Sequence, residues 1–129
     1  MDDRSEIGAA GERAAAAFLQ RRRIVIVERN YSCRGGEIDL VAVAAGTLVF
    51  VEVRTRSAGS LVDPLASIDG NKRRRIVTAA RHYVARHGFH DRPMRFDVVS
   101  VRACGGRLEC QHLENAFDLD DLPPPRRRW

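Results

Sequence analysis

The stretch that decides the fold is GEIDLVAVAAGTLVFVEVRTR, residues 36–56. β-Branched and apolar residues dominate both of its halves and an Ala-Gly turn separates them, so we expect neighbouring strands over 37–43 and 47–54. The second strand is apolar on both faces until Glu52, a pattern typical of a central strand that is covered on both sides. Each strand therefore carries one acid in an apolar setting, Asp39 in the first and Glu52 in the second.

The rest of the chain predicts an α/β layer arrangement around these two strands, with an antiparallel meander over residues 24–54. Apolar residues at helical spacing indicate two helices, and β-branched runs next to glycines indicate further strands. The expected elements are a helix over 6–22 with Ser5 as its N-cap and an apolar stripe of Ile7, Ala10, Ala14, Ala17 and Phe18; a strand over 24–29 before a turn at Gly35-Gly36; a loop over 55–70; a helix over 71–87 with a stripe of Ile76, Ala79, Ala80, Tyr83 and Val84 and a cap at Gly88; a strand over 95–103; and a shorter strand that follows Gly105-Gly106 and ends near Leu113.

Asp39 and Glu52 have the clearest chemical meaning in the sequence. A carboxylate within an apolar strand is costly unless it is paired or binds a cation. Two carboxylates that converge from adjacent strands repel each other and favour a shared divalent cation, and hard oxygen ligands suit Mg²⁺ or Mn²⁺. The alternative is that Glu52 and Arg54 form ion pairs with other strands, which is a common arrangement in sheets.

The composition predicts one globular domain with a polyanionic partner. The chain has 129 residues, 44% of them hydrophobic, and a net charge of +5. We divide it into a domain over 1–117 and a flexible Pro- and Arg-rich tail over 118–129. The basic balance favours nucleic acid as the partner over an ordinary arginine-rich surface. Few aromatic residues accompany the arginines, so recognition of the nucleic-acid backbone or shape fits better than base stacking.

The N-terminus and the cysteines bear on the compartment. The first ten residues are polar and acidic, which predicts no signal peptide, and no apolar run is long enough to cross a bilayer. We therefore expect a cytoplasmic protein with no membrane partner. Cys33, Cys104 and Cys110 match no metal-binding spacing and are expected to be free thiols.

Lys72 is the only lysine among 22 basic residues. An ammonium group is a compact point charge that a guanidinium does not easily replace, so Lys72 either has a chemical role or is an ordinary surface residue at the start of a helix. The arginines expected to flank the two acids and to contact phosphates are Arg34, Arg56, Arg73, Arg74 and Arg75.

Several short motifs, taken in order, resemble one family. GEIDLVA at 36–42 and VFVEVRTR at 49–56 are similar to the YraN family of predicted endonucleases, which resembles the Holliday junction resolvases of the PD-(D/E)XK nuclease superfamily. The other matching positions are Gly11-Glu12, Ala15, Arg29-Asn30, Lys72, Arg95-Phe96-Asp97-Val98-Val99 and Asn115-Ala116-Phe117. The resemblance covers residues 8–117, nearly the whole expected domain.

The resemblance implies a restriction-endonuclease-like αβββαβ core, with a mixed central sheet flanked by helices. It implies that Asp39 is the metal-binding Asp of the superfamily, Glu52 its acidic partner and Val53 the source of a backbone carbonyl ligand. Glu12 corresponds to the helix Glu of the resolvases, and the alternative is an exposed helix acid. Glu37 either joins the cluster of acids or binds a backbone group at the turn. The implied activity is hydrolysis of phosphodiester bonds with Mg²⁺ or Mn²⁺, in DNA rather than RNA and with branched DNA as a candidate.

One departure from the superfamily pattern affects the expected chemistry. The superfamily has a lysine two residues after the Glu, and this chain has Arg54 there. Arg stabilises charge but is a poor proton shuttle, so Lys72 is a candidate for the missing ammonium. The departure leaves open a non-catalytic nucleic-acid-binding module on a nuclease fold, and the basic surface leaves open a domain that binds an acidic protein. Resolvases of this fold act as dimers, so the resemblance also implies a homodimer, although no stretch of the sequence indicates self-association.

Overall fold

Five strands form one mixed sheet, and their order in the sheet is their order along the chain. The computed structural model describes residues 3–119. Its elements are α1 (Asp3–Arg21), β1 (Val25–Cys33), β2 (Gly36–Ala44), β3 (Thr47–Arg56), α2 (Gly70–His87), β4 (Met94–Cys104) and β5 (Arg107–Phe117). Neighbouring strands are antiparallel except β3 and β4, which are parallel and are connected through α2. The predicted αβββαβ core with a mixed sheet is confirmed, and β5 extends it by one strand.

The two helices cover opposite faces of the sheet. Phe50 of β3 packs with Ile76 and Tyr83 in the cluster beneath α2, whereas Val51 packs with Leu19 in the cluster beneath α1. Consecutive residues of a strand point to opposite faces, and here both faces are buried. The prediction that β3 is a central strand is therefore confirmed, and its buried surroundings extend to Glu52.

The predictions for the first helix were partly wrong. α1 begins at Asp3, so Ser5 lies inside the helix and is not its N-cap. The buried face contains Ala15, Ala16 and Leu19, while Ala17 is exposed. Alanines occur on every side of this helix, and a small side chain that fits both core and surface gives little information about which face is buried. The stripe predicted for α2 is confirmed, because its larger apolar residues lie on one side only.

The turn between β1 and β2 differs from the prediction, and so does the strand before it. β1 continues to Cys33 and the turn consists of Arg34 and Gly35, so Gly36 is the first residue of β2. A Cβ atom on Gly36 would lie 2.2 Å from the carbonyl oxygen of Arg75 and 2.9 Å from the amide nitrogen of Ala79. Only glycine allows this close approach between β2 and the backbone of α2.

Two of the matching motifs form a structural clamp between β4 and β5. Asp97 is 1% exposed, and its carboxylate accepts hydrogen bonds from Arg95 Nε and from the backbone N–H of Asn115, at 3.1 Å each. His112 Nε2 lies 2.7 Å from the other carboxylate oxygen of Asp97. The clamp spans an irregularity in the β4–β5 pairing, which explains why β5 runs on to Phe117 and does not end near Leu113.

The remaining described segments agree with the sequence in outline. No helix or strand lies between Arg56 and Gly70, and Gly88 caps α2 in the left-handed conformation, with φ of 70°. All three cysteines are free. Among residues 3–119, neither helix has the length and apolar character needed to pass through a bilayer. The predicted tail lies outside the described residues from 120 onward.

Candidate active site

Asp39 and Glu52 come together because of the register of β2 against β3. The pairing of the two strands ends at Leu40 and Val51, so one further step would place the two acids directly opposite each other. Like charges in that position destabilise a sheet. The ladder stops there, and Asp39 Oδ2 accepts a hydrogen bond of 2.8 Å from the backbone N–H of Val53.

The alternation of β2 side chains between the two faces of the sheet also breaks at Asp39. Ile38 packs in the cluster beneath α2, whereas Leu40, two residues later, packs in the cluster beneath α1. Residues two apart on a regular strand share a face, so the strand is twisted at the residue between them. Asn30, which lies on β1 between the partners of Leu40 and Ile38, has a positive φ of 53°. The distortion opens the sheet at the position of the acid.

Glu52 is the least accessible acid of the site, with 4% of the residue exposed. Its Oε1 lies 3.6 Å from Lys72 Nζ. Its Oε2 is buried and lacks a hydrogen-bond partner among the described residues. Burial, the negative charge of Asp39 and a side-chain hydrogen bond with Asp39 raise the pKa of Glu52 to about 8, against the opposing effects of Lys72 and Arg54. An unpartnered buried carboxylate oxygen is what a bound cation would satisfy.

Lys72 reaches the site from the first turn of α2. Its Nζ lies 3.3 Å from Oε1 of Glu37, in addition to its contact with Glu52, so one ammonium links two carboxylates. Asp69 fixes the start of the helix, because its side chain accepts a 2.8 Å hydrogen bond from the backbone N–H of Lys72. The structure therefore places Lys72 in contact with a predicted site acid, and its chemical role stays a prediction. Within residues 3–119, the contact that joins Glu37 to the site is the one with this ammonium.

Glu12 approaches from α1, on the other side of the sheet. Partial burial and the charge of Asp39 raise its pKa, while hydrogen bonding by Asn30 and the charge of Arg29 lower it. The helix can come this close because residue 11 is glycine: a Cβ there would lie 2.1 Å from the Thr55 hydroxyl oxygen. Glu12 thus lies within the electrostatic field of Asp39.

The acids line one open cavity of about 350 Å³, together with Gly8, Val53, Arg54 and Thr55. Within residues 3–119, no three His, Cys, Asp or Glu side chains form a ready-made metal cluster. Mg²⁺ needs only one or two carboxylates, because it keeps several of its waters and binds substrate phosphate as well. The donor set of hard oxygens and the unpartnered Oε2 of Glu52 fit such an ion.

A second cavity, of about 370 Å³, lies beside the clamp between β4 and β5. Its lining includes Arg95 and Asn115, whose polar groups bind Asp97. These contacts are structural, so the chemistry that the sequence indicates is concentrated in the first cavity.

The arginines expected to contact phosphates divide into two groups. Arg34, Arg74 and Arg75 are exposed, and the close approach at Gly36 brings the turn that holds Arg34 beside α2. Arg56 donates hydrogen bonds to the carbonyl oxygen of Asp63 and the hydroxyl of Ser60. Arg73 donates to the carbonyl oxygen of Ile68 and lies over the ring of Phe117. The second group already has partners within the chain.

Sequence reasoning missed three residues that position the site. Asp69 sets the start of α2, Asn30 contacts the helix acid, and Gly11 allows α1 to approach β3. The dipeptide Arg29-Asn30 and Gly11 stood among the motifs, but without a role. An acid three residues before the only lysine is a typical N-cap signal, and it could have identified Asp69 as the residue that fixes the start of α2.

Comparison with known proteins agrees with the motifs. The profile described as "Uncharacterised protein family UPF0102" matches residues 11–101. A UPF0102 protein of Cupriavidus metallidurans is 52% identical over 118 residues, which cover 89% of this chain and 83% of the relative. One of Geobacter metallireducens is 42% identical over 113 residues, which cover 88% of this chain and 93% of the relative. The chain therefore belongs to the uncharacterised protein family UPF0102, the YraN-like group that its motifs resemble.

Proposed function

We propose that this protein is a Mg²⁺- or Mn²⁺-dependent endonuclease that hydrolyses phosphodiester bonds in DNA, with branched DNA as a candidate substrate. The observation that carries the proposal is the environment of Glu52. Its carboxylate is buried, faces Asp39 at the end of a strand ladder, and keeps one oxygen without a partner among the described residues. A domain that only needed to fold would gain stability by replacing this acid with an apolar residue.

Asp39 and Glu52 would hold the cation, with the Val53 carbonyl as a backbone ligand and Glu12 as a further acid at the rim. When bound, the cation supplies Lewis-acid activation of the phosphoryl group and of a water molecule. The hydrogen bond from the Val53 N–H to Asp39 fixes one carboxylate in place. Such fixed orientation of ligands supports both affinity and catalysis.

Lys72 and Arg54 would supply the positive charge of the site. The Lys72 ammonium is 3.6 Å from Glu52 Oε1, close enough to neutralise charge that develops on a phosphate beside the carboxylates. Arg54 lines the same cavity, and its Nη2 donates to the carbonyl oxygen of Ser67 at 3.5 Å. Arg54 anchors the loop and would stabilise charge, while Lys72 would provide the ammonium that the superfamily lysine supplies.

Nucleic acid is the substrate class that the charge distribution supports. The net charge is +5, and exposed Arg34, Arg74 and Arg75 lie on the two elements that meet at Gly36. Guanidinium groups bind phosphate in a bidentate manner and release counterions from DNA, so affinity should fall steeply with salt.

The test is cleavage of a four-way junction, a flap and a linear duplex by purified protein with Mg²⁺, Mn²⁺ or EDTA. We expect metal-dependent cutting that Asp39→Asn and Glu52→Gln abolish, while the control Asp91→Asn, which changes an exposed acid outside the cavity, keeps it. Calorimetric titration with Mn²⁺ should give binding to wild type and none to Asp39→Ala. Cutting that survives either acid substitution unchanged would contradict the proposed centre.

The second candidate is a non-catalytic nucleic-acid-binding module, and Arg54 is the observation that favours it. A guanidinium that holds the loop cannot also shuttle a proton in the manner of the superfamily lysine. The two candidates differ in one result: salt-sensitive binding of all three DNA substrates without cutting under any metal supports the module.

A further inference from the structure

Two consecutive apolar side chains stand in solvent at the tip of the loop between β3 and α2. Leu61 is 99% exposed and Val62 is 56% exposed. The other large hydrophobic residues that are exposed in the described chain, Val25, Val27 and Leu108, all lie on edge strands. A single exposed apolar residue is ordinary, but two adjacent ones at a loop tip are a feature with a potential ligand.

Guanidinium groups hold this tip in place from both sides. Arg102 donates a 3.2 Å hydrogen bond to the carbonyl oxygen of Ser60, just before the tip. Arg56 donates one of the same length to the carbonyl oxygen of Asp63, just after it. The backbone on each side of Leu61 and Val62 is therefore fixed before any ligand arrives, which lowers the entropic cost of binding.

The loop that carries the fixed tip contacts a residue of the acidic cavity and lies within a basic segment. Arg54 lines the cavity and also donates to the carbonyl oxygen of Ser67 in the same loop. Residues 54–75 contain six cations and two acids, Asp63 and Asp69. Asp69 caps α2, and a side-chain oxygen of Asp63 accepts from the backbone N–H of Leu65. An apolar tip within a positively charged surface fits a polyanion whose interior is apolar.

We infer that Leu61 and Val62 form a wedge that enters nucleic acid where base stacking is interrupted, at a branch, nick or flap. The inference rests on the proposed function and names the feature of the substrate that this site selects. Apolar side chains insert between base steps in this way in architectural DNA-binding proteins, and the energetic cost is lowest where bases are already unstacked. Because Arg54 lines the cavity and also binds Ser67 of the same loop, a branch point held at the wedge would lie on the loop that borders the cavity.

The test compares wild type with the double variant Leu61→Ser/Val62→Ser in EDTA, so that no strand is cut. The probes are a four-way junction with 2-aminopurine at the branch point, and a linear duplex of the same length. The matched control is Val25→Ser/Val27→Ser, which removes two exposed apolar side chains from β1 at the opposite end of the strands. Because the wedge residues are solvent-exposed, we expect both variants to keep the circular dichroism of wild type.

We expect wild type to bind the junction more tightly than the duplex and to raise the 2-aminopurine fluorescence. The wedge variant should lose about tenfold in affinity for the junction, together with the fluorescence change, and bind the duplex as wild type does. The β1 control should behave as wild type.

Three results would overturn the wedge. One is an equal loss of affinity for junction and duplex. Another is a change from dimer to monomer in sedimentation of the wedge variant, which would assign the tip to self-association. The third is binding of phosphatidylglycerol vesicles by wild type but not by the wedge variant, which would assign it to a lipid surface. If wild type binds neither DNA probe, the proposed function itself is wrong. If wild type binds both probes equally, only the wedge is wrong.

Discussion

Replacement of Glu52 by Gln tests whether this position holds a buried charge, because the two side chains have nearly the same shape. In the wild-type protein, burial and the neighbouring charge of Asp39 raise the pKa of Glu52 to about 8, from an ordinary value of 4.5. The folded chain therefore binds this proton more tightly than the unfolded chain does. It follows that the free energy of unfolding falls as the pH rises from about 4.5 to about 8, and then stays low.

The size of this effect follows from the two pKa values. Each pH unit within that window lowers the free energy of unfolding by about 1.4 kcal/mol, because only the unfolded chain has released the proton. The loss is about 2 kcal/mol at pH 6 and on the order of 4 to 5 kcal/mol at pH 9. Gln is neutral throughout, so the variant should be close to wild type at pH 4.5 and more stable by a few kcal/mol at pH 9.

The assay is urea unfolding in EDTA at pH values from 4.5 to 9, followed by circular dichroism. The matched control is Glu37→Gln, because Glu37 also contacts Lys72 but has a side chain that is 52% exposed. In the control, the free energy of unfolding should depend on pH as it does in wild type, because an exposed carboxylate stays in contact with water when the chain folds. Parallel curves for wild type and Glu52→Gln would refute the account of Glu52 as a buried, destabilised acid.

The same experiment with added Mn²⁺ connects the buried charge to metal binding. A cation that binds the ionised carboxylate competes with the proton, so it should stabilise wild type more at pH 8 than at pH 6. Glu52→Gln should gain much less from Mn²⁺ at either pH. Equal stabilisation of the two proteins by Mn²⁺ would place the ion elsewhere.

Three further predictions follow from the geometry. Lys72→Met should lower the rate of metal-dependent cleavage by about 100-fold and shift its pH profile upward, because the ammonium lowers the pKa of Glu52. Lys72→Arg should restore part of the rate and part of the pH profile. An unchanged pH profile for Lys72→Met would exclude the residue from the site. Gly36→Ala should cost about 1 to 3 kcal/mol in urea unfolding, since its Cβ would meet backbone atoms of α2, whereas Gly59→Ala, with nothing within 4 Å, should be neutral. Asp97→Asn should cost about 2 to 3 kcal/mol by leaving Arg95 or His112 without its partner, while the folded variant keeps wild-type cleavage at low temperature.

The sheet and the second helix could be predicted from the sequence because large apolar residues mark them. Val49 and Val51 alternate with Leu48 and Phe50, so both faces of β3 had to be covered. The face of α1 could not be predicted, because alanine differs little in free energy between core and surface. The ends of β1 and β5 depend on tertiary contacts, such as the clamp around Asp97, that local pattern does not contain.

The two strand acids could be predicted from their apolar neighbours, but their partners could not. Lys72 lies twenty residues beyond Glu52 in the chain, and its place depends on the start of α2 and on the approach of that helix to β2. The cap at Asp69 fixes the start of α2, and the missing side chain at Gly36 allows the helix to approach β2. Likewise, nothing in the sequence of the loop indicates that arginines from β3 and β4 bind its carbonyl oxygens.

The register of β2 and β3 gives the strongest reason to regard the site as functional. Continued pairing would set Asp39 directly opposite Glu52. A sheet selected for stability alone would have a lysine or arginine at one of these two positions. The chain has 22 basic residues, yet the ladder ends at two acids, and the ammonium that compensates them comes from a helix and is shared with Glu37. A sequence that places like charges together on neighbouring strands is constrained there by something other than folding. The charge that is missing at this point is positive, and the divalent cation of the proposed function would supply it.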